Sequence, residues 1–376
     1  MQRLGSKVID KWKVLPASMF FIITALIFVG GFVMYDASGG RYDAAIFKKQ
    51  LMYSSVFFVL MLVTSLIDIR FLFNNAYIFY ALSLALLLTV NLVGHKAMGA
   101  TRWLNLGFIR IQPSEILKVS LVLAVARYFH FQSVSTLSST RVLILPLLLF
   151  IIPFVIILKQ PDLGTAIVVL ILAAILFFVA GVPIKYFLIS GVVILLALPL
   201  CLNLLHGYQK ARLLIFLDPE KDPLGAGYNI LQSKIAIGSG GLFGKGSLQS
   251  TQAQLDFLPE YHTDFIFSLF AEEYGFVGSV GLIVLFLGLI YIGFRIALRS
   301  KQEFGRLVAL GLISVFSINV FINLGMVTGM LPVVGIPLPF LSYGGSSMAT
   351  ILISFGILMN IGLNYNTVLP NKFGNF

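Results

Sequence analysis

Asp264 closes a long polar interval, roughly residues 206 to 263, and opens the hydrophobic run of residues 265–270. A carboxylate carried into the edge of a membrane helix is expensive to keep there and is a functional candidate by default. With Thr263 as N-cap and Asp264 in the first turn, the helix dipole would favour the ionised acid. Burial would favour the protonated one. A balance of the two is what a general base near neutral pH needs. The plainer alternative is a capping acid with no chemistry. Asp256 and Glu260 lie in a proline-containing loop and read as solvated, with Glu260 a second candidate for the site.

Other constellations sit at the starts of predicted helices. In Gln112-Pro113-Ser114-Glu115-Ile116-Leu117-Lys118, proline marks a first helical position, and Ser114, Glu115 and Lys118 share a face. Lys118 is either a neutralising partner for Glu115 or a fixed cation for a phosphate. Lys159-Gln160-Pro161-Asp162 repeats the design. Asp162 reads as a helix cap, or as a partner for Lys118 across the bundle. Between Pro332 and Ser347, three prolines and Gly344-Gly345 stop any continuous helix. Non-helical backbone at membrane depth survives only where protein or a cavity satisfies it. That stretch is therefore either a packing hinge or a cavity wall, with Ser342, Tyr343, Ser346 and Ser347 as hydroxyl donors. The glycine-rich residues 238–247 fail the P-loop spacing, because position 239 is Ser and 246 is Gly. They read as a flexible turn, or as an amide cradle for a phosphate or sugar.

These groups are set in a very apolar chain. Of 376 residues, 59% are hydrophobic and 11% charged, against about 25% charged in soluble domains. Mean hydropathy is +0.98. The chain reads as an all-α integral membrane protein and one polytopic unit. Ten spans are expected, at roughly 17–35, 50–67, 76–93, 114–130, 142–158, 162–180, 186–205, 265–298, 307–327 and 345–363. The first reads as an uncleaved span behind Arg3, Lys7, Lys11 and Lys13, which places both termini in the cytoplasm. Residues 206–263 then form a large extracytoplasmic loop before the eighth span. Within it, residues 228–237 suggest an amphipathic helix on the outer leaflet.

The net charge of +11 points to topology and anionic membrane lipid, not nucleic acid. Arg41, Lys48, Lys49, Lys96, Arg102, Arg110 and Lys159 fall on the outer side, against the positive-inside rule. They are either ordinary surface charge or a cationic rim for an anionic group. Cys201 is the single cysteine, and the four histidines show no metal-ligand spacing.

Together the motifs resemble the shape, elongation, division and sporulation family of bacterial cell-wall proteins. The resemblance rests on Arg102-Trp103-Leu104, Gln112-Pro113-Ser114-Glu115, Gln160-Pro161-Asp162-Leu163-Gly164-Thr165, Asp222-Pro223-Leu224-Gly225, Gln232-Ser233-Lys234, His262-Thr263-Asp264-Phe265 and Ser342-Tyr343-Gly344-Gly345-Ser346. It runs from the first span to the last. It implies a ten-span bundle and a peptidoglycan glycosyltransferase acting on lipid II, a disaccharide-pentapeptide on undecaprenyl pyrophosphate. It also implies a class B penicillin-binding transpeptidase as partner. The family's catalytic acid falls on Asp264, and its membrane-embedded lysine and aspartate on Lys118 and Asp162. Tyr261 stands where relatives often carry arginine.

The expected site is thus Asp264 as base, with Arg102, Arg110, Lys118, Glu115, Asp162, Ser342, Tyr343 and Ser346 around the substrate. A divalent cation could assist, though no ligand cluster demands one. A lipid II flippase is the alternative, since broken helices and intramembrane charges also suit transporters.

Overall fold

The computed structural model describes residues 17–93, 95–97, 100–105, 110–133, 135–204, 215–216, 226–251 and 261–370. In chain order the helices are α1 (Ala17–Ala37), α2 (Ala45–Leu66), α3 (Ile69–Val93), α4 (Pro113–His130), α5 (Thr140–Lys159), α6 (Leu163–Ala180) and α7 (Ile184–Leu204). They continue with α8 (Ala226–Ser239), α9 (Ile266–Arg299), α10 (Glu303–Val327) and α11 (Gly345–Leu363). Eight of them are long and apolar enough to cross a membrane. The other two expected spans are α4, with Glu115, Lys118 and Arg127 in its 18 residues, and α7, apolar over Ile184–Ala197.

Burial separates a centre from a periphery. The apolar stretch of α10 is 78% buried, that of α5 only 28%. Most of α4 is buried too, from Pro113 to Phe129. The outer helices turn Phe21, Phe28, Leu82, Ile144 and Leu195 outward. In water this would be untenable; towards lipid tails it costs nothing.

One end of the bundle carries the predicted chemistry. There the chain departs from a purely helical plan. Strands β1 (His95–Ala97), β2 (Ala100–Asn105) and β3 (Arg110–Ile111) form an antiparallel sheet in that order. The segment is short, and its Thr101, Trp103 and Ile111 are strand-favouring residues. Pairing of Asn105 with Arg110 and of Leu104 with Ile111 sets β3 just before the start of α4.

Helix α8 is the expected amphipathic helix, but it does not merely lie flat on a leaflet. Ile230, Ser233 and Ala236 are buried at three-residue spacing. The Ser233 hydroxyl is 2.7 Å from that of Ser268 on α9 and donates to the Val327 carbonyl of α10 at 2.7 Å. The helix is wedged against both. Of the predicted loop, Asp256 and Glu260 lie outside the described residues.

The glycine-rich stretch has a packing role that was not foreseen. Helix α9 breaks at Gly275, whose φ is 65°. Residues 240–246 dock into that break. Lys245 and Gly246 N–H groups donate to the Glu272 and Glu273 carbonyls, while Phe276 and Val277 N–H groups donate to Gly241 and Leu242 carbonyls. So the backbone groups freed by the break are re-paired, as the bilayer requires. A Cβ on Gly240 would lie 2.1 Å from the Ala271 oxygen, and one on Gly244 would lie 2.1 Å from the Glu273 oxygen. The glycines permit a backbone-to-backbone approach.

Gly244→Ala is therefore expected to destabilise the fold by about 3 kcal/mol, by overpacking and a φ of 81°. Gly238→Ala meets no atom and should leave the thermal unfolding midpoint in detergent unchanged. Equal midpoints for both variants would contradict the docking role.

Candidate functional site

The site is organised by residues 328–344, the non-helical passage between α10 and α11. Pro332, Pro337 and Pro339 cannot continue a helix, and Gly329, Gly335 and Phe340 take positive φ. Phe340, at φ 67°, is strained for an L side chain. It is clamped by α1, where a Cβ on Gly30 would fall 2.3 Å from the Phe340 oxygen.

This passage holds the turn that carries Asp264. The Tyr343 N–H donates to the His262 carbonyl at 2.9 Å. The Ser342 hydroxyl donates to the Thr263 carbonyl at 2.6 Å and accepts from the Leu338 N–H at 2.8 Å. Asn323 of α10 donates to the carbonyls of Asp264 and Ile336, at 2.9 and 2.8 Å. The Asp264 carboxylate lies against Gly335, where a Cβ would stand 3.3 Å from Oδ2. Asp264 itself is half-buried.

One expectation is corrected here. Helix α9 starts at Ile266 and is capped at Phe265 without a side-chain hydrogen bond. Thr263 is not the cap, and Asp264 precedes the helix instead of occupying its first turn. The Thr263 carbonyl is drawn to Ser342, which keeps residues 261–265 in a turn.

The same passage touches the other candidates. A Cβ on Gly164, two residues into α6, would lie 2.7 Å from the Val334 oxygen. Asp162 caps α6, accepting from the Thr165 N–H at 3.2 Å and hydroxyl at 2.9 Å. It also accepts from the Gln112 amide at 3.4 Å and stands 3.7 Å from Arg102 Nε. Arg102 donates in turn to the Pro161 carbonyl at 2.7 Å. At the start of α11, the Ser346 hydroxyl donates to the Arg110 carbonyl at 2.9 Å and accepts from the Gln112 N–H at 3.0 Å. Asp264 thus rests on the strip at Gly335, α6 with Asp162 and Arg102 at its head meets it at Val334, and Arg110 is tied to Ser346 just after it.

The Ser342 and Ser346 hydroxyls each have their proton committed to a backbone carbonyl, so they act as ties within the protein. Tyr343 remains a candidate donor. Burial, with Tyr53 close by, pushes its hydroxyl above the usual range, against an opposing pull from Arg110. It stays protonated at neutral pH.

Lys118 does not meet Asp162. Its ammonium is 2.8 Å from Glu115, one turn back on α4, and both side chains are almost fully buried. The three-residue spacing brings the pair together with no movement of the backbone. Thr350 of α11 approaches Glu115 at 3.4 Å. Beside the pair is a cavity of about 20 Å³ bordered by Asn319, Thr350 and Ser354. On another side of α4 an apolar groove of about 470 Å³ runs between α2, α3, α4 and α11. Phe57, Leu82, Leu86, Val119 and Ile353 line it, and it reaches Ile111 and Ser346 at the site.

Asn323 escaped the sequence reading, because a lone asparagine in an apolar run carries no spacing signal. The buried acids Glu272 and Glu273 also escaped it, although the rule applied to Asp264 covers them. Glu272 is held by Lys245 at 2.6 Å, Ser250 at 2.6 Å and Thr251 at 2.8 Å. Asp36 of α1 accepts from Ser247 and Tyr274 at 2.7 and 2.8 Å. These bonds fasten the docked loop to α1 and α9. Among the described residues, no three His, Cys, Asp or Glu side chains form a group that could hold a metal ion.

Known proteins are similar to this chain in sequence and fold. The family model FTSW_RODA_SPOVE, described as cell cycle protein, matches residues 15–367. The chain belongs to this family. It is similar to peptidoglycan glycosyltransferase MrdB of Escherichia coli K12, with 42% identity over 349 residues, 92% of this chain and 93% of that protein. A solved structure described as "Structural coordination of polymerization and crosslinking by a peptidoglycan synthase complex" matches with TM-score 0.82 and 31% identity. It covers 94% of this chain and 99% of that one. The rod shape determining protein RodA of Thermus thermophilus matches with TM-score 0.71 and 30% identity, over 94% of this chain and 98% of that one. The mostly helical, multi-pass membrane architecture is thus the family's own.

Lys118→Met should cost about 3–5 kcal/mol, by leaving Glu115 buried without its partner. The double change Lys118→Met with Glu115→Leu should recover most of that stability. Thermal unfolding of the two variants checks it. A single variant as stable as the parent would show that the pair is not buried as described.

Proposed function

We propose that the chain is a peptidoglycan glycosyltransferase that polymerises lipid II into glycan strands during cell elongation, with Asp264 as its general base. The observation that carries the reading is the convergence on residues 328–344. The Asp264 carboxylate rests on that strip at Gly335, the Asp162–Arg102 pair stands at the head of α6, which meets the strip at Val334, and the apolar groove ends at Gly345 and Ser346 immediately after it. A lipid pyrophosphate needs those three things: a groove for its tail, cations for its phosphates and a base for the incoming sugar.

In the proposed reaction, Asp264 takes the proton from the C4 hydroxyl of the acceptor sugar. That oxygen attacks the anomeric carbon of the donor, the bond to the pyrophosphate breaks, and the configuration inverts. Arg102 and Arg110 stabilise the charge that grows on the departing pyrophosphate. The Tyr343 hydroxyl donates to a sugar or phosphate oxygen. Asp162 holds Arg102 in place. Lys118 and Glu115, buried on the other side of α4 from the groove, are a fixed charge pair in the bundle interior. A divalent cation, if used, would be held through Asp264 and would supply charge neutralisation for the leaving group; no step here depends on it.

The site end faces outward in this reading, and both termini lie in the cytoplasm. Arg70, Arg127, Arg141, Lys185, Arg295, Arg299, Lys301 and Arg306 then fall on the inner side, as the positive-inside rule asks. The partner is a class B penicillin-binding transpeptidase, which crosslinks the new strands; the likeness to a peptidoglycan synthase complex supports this. A lipid II flippase would need a polar path through both leaflets, whereas the candidate residues gather at one end.

Asp264→Asn, purified and folded with the transpeptidase, should lose glycan polymerisation from lipid II by about 1,000-fold or more. Gel separation of the glycan products measures this. Product at the parental rate would remove Asp264 from the chemistry.

A further inference from the structure

Asn323 lies near the end of α10 and is fully buried. Its side-chain amide has two hydrogens, and each is given to a different backbone carbonyl. One belongs to Asp264, at 2.9 Å, and the other to Ile336, at 2.8 Å. Because both neighbours are acceptors, the NH₂ group must face them; a flipped amide would oppose oxygen to oxygen. Its Oδ1 is buried and has no hydrogen-bond partner among the described residues. An orphaned buried acceptor is costly, so stability alone is a poor reason for an amide at this point.

The two carbonyls are not arbitrary. Ile336 follows Gly335, and Gly335 is the wall against which Asp264 Oδ2 rests. One side chain therefore ties the backbone of the acid to the backbone of the wall facing it. The third anchor is rigid, since α10 is the most buried span. Among side chains this short, only asparagine offers two donors. Aspartate lacks the two donors, leucine has none, and glutamine has the same donors on a longer arm.

We infer that Asn323 is the positioning residue for the base: it sets where the Asp264 carboxylate stands relative to the extended strip, and so to the acceptor hydroxyl. This rests on the reading of Asp264 as base. The effect passes through backbone position and needs no contact between Asn323 and substrate. It should therefore fall on turnover and spare substrate binding.

Asn323→Gln keeps both donors and suits the test, since Asn323→Leu strands two carbonyls and can fail to fold. With lipid II and the transpeptidase present, Asn323→Gln should lower kcat on the order of 100-fold, the cost of misplacing a reacting group by about 1 Å. KM should stay within about twofold. Gly335→Ala moves the same wall from the other side, because its Cβ would stand 3.3 Å from Oδ2. The two changes combined should be clearly non-additive in kcat, as expected for sites that share one element. Unchanged kcat per folded molecule in Asn323→Gln, or a loss confined to KM or to the unfolding midpoint, overturns the inference. Strict additivity of the two variants overturns it as well. Asp264→Asn is the separate arm. If that variant still polymerises, the base assignment fails; if it is inactive while Asn323→Gln matches the parent, only the positioning role fails.

Discussion

Backbone that leaves a helix inside a bilayer-sized bundle must find a partner for every N–H and C=O it frees. Residues 328–344 and the helix ends that flank them meet part of that demand by pairing with the segments that carry the candidate functional groups. Ser342 and the Tyr343 N–H take the carbonyls before Asp264, Asn323 takes the carbonyl of Asp264 itself, and Ser346 takes that of Arg110. The constraint that would make an irregular passage unstable in lipid thus locates the acid and the cations with respect to one another. The strain at Phe340 is held by the close approach of Gly30.

Charge obeys the same economy. A lone buried ion is costly, and three of the buried acids have a cation beside them. Lys118 has Glu115, Arg102 has Asp162, and Lys245 has Glu272. Each pairing is made between side chains that the local fold already places together. What stays open to a ligand is at the rim. Arg110 on its short strand is exposed, Arg102 is partly so, and Asp264 is half-buried on its turn. An anionic headgroup arriving there meets cations without having to break the interior pairs.

Much of this was legible in the chain. Apolar runs gave the spans, because lipid demands length and composition more than pattern. Proline marked the start of α4, and Asp162 was readable as a cap. The Glu115–Lys118 pair followed from three-residue spacing. Three prolines announced the irregular passage. What spacing could not show was who pairs with whom across the bundle. Asn323, Gly164 and Gly30 matter only through tertiary contact, and nothing adjacent to them in sequence says so. The break in α9 was hidden because Gly275 is one of several glycines within a single expected span, and its partner is the glycine-rich stretch about 30 residues earlier. That stretch read as a flexible turn or a ligand cradle; its glycines let two backbones touch. The serines of residues 342 and 346 looked available for a sugar, and the structure spends them on carbonyls.

The most direct test is a cryo-EM structure of the chain with a bound, non-reactive lipid II analogue. The account predicts the polyprenyl tail in the groove between α2, α3, α4 and α11, the pyrophosphate against Arg102 and Arg110, and a sugar hydroxyl within hydrogen-bond reach of the Asp264 carboxylate. A pyrophosphate seated at the opposite end of the bundle, or an Asp264 carboxylate turned away from every sugar oxygen, would contradict it.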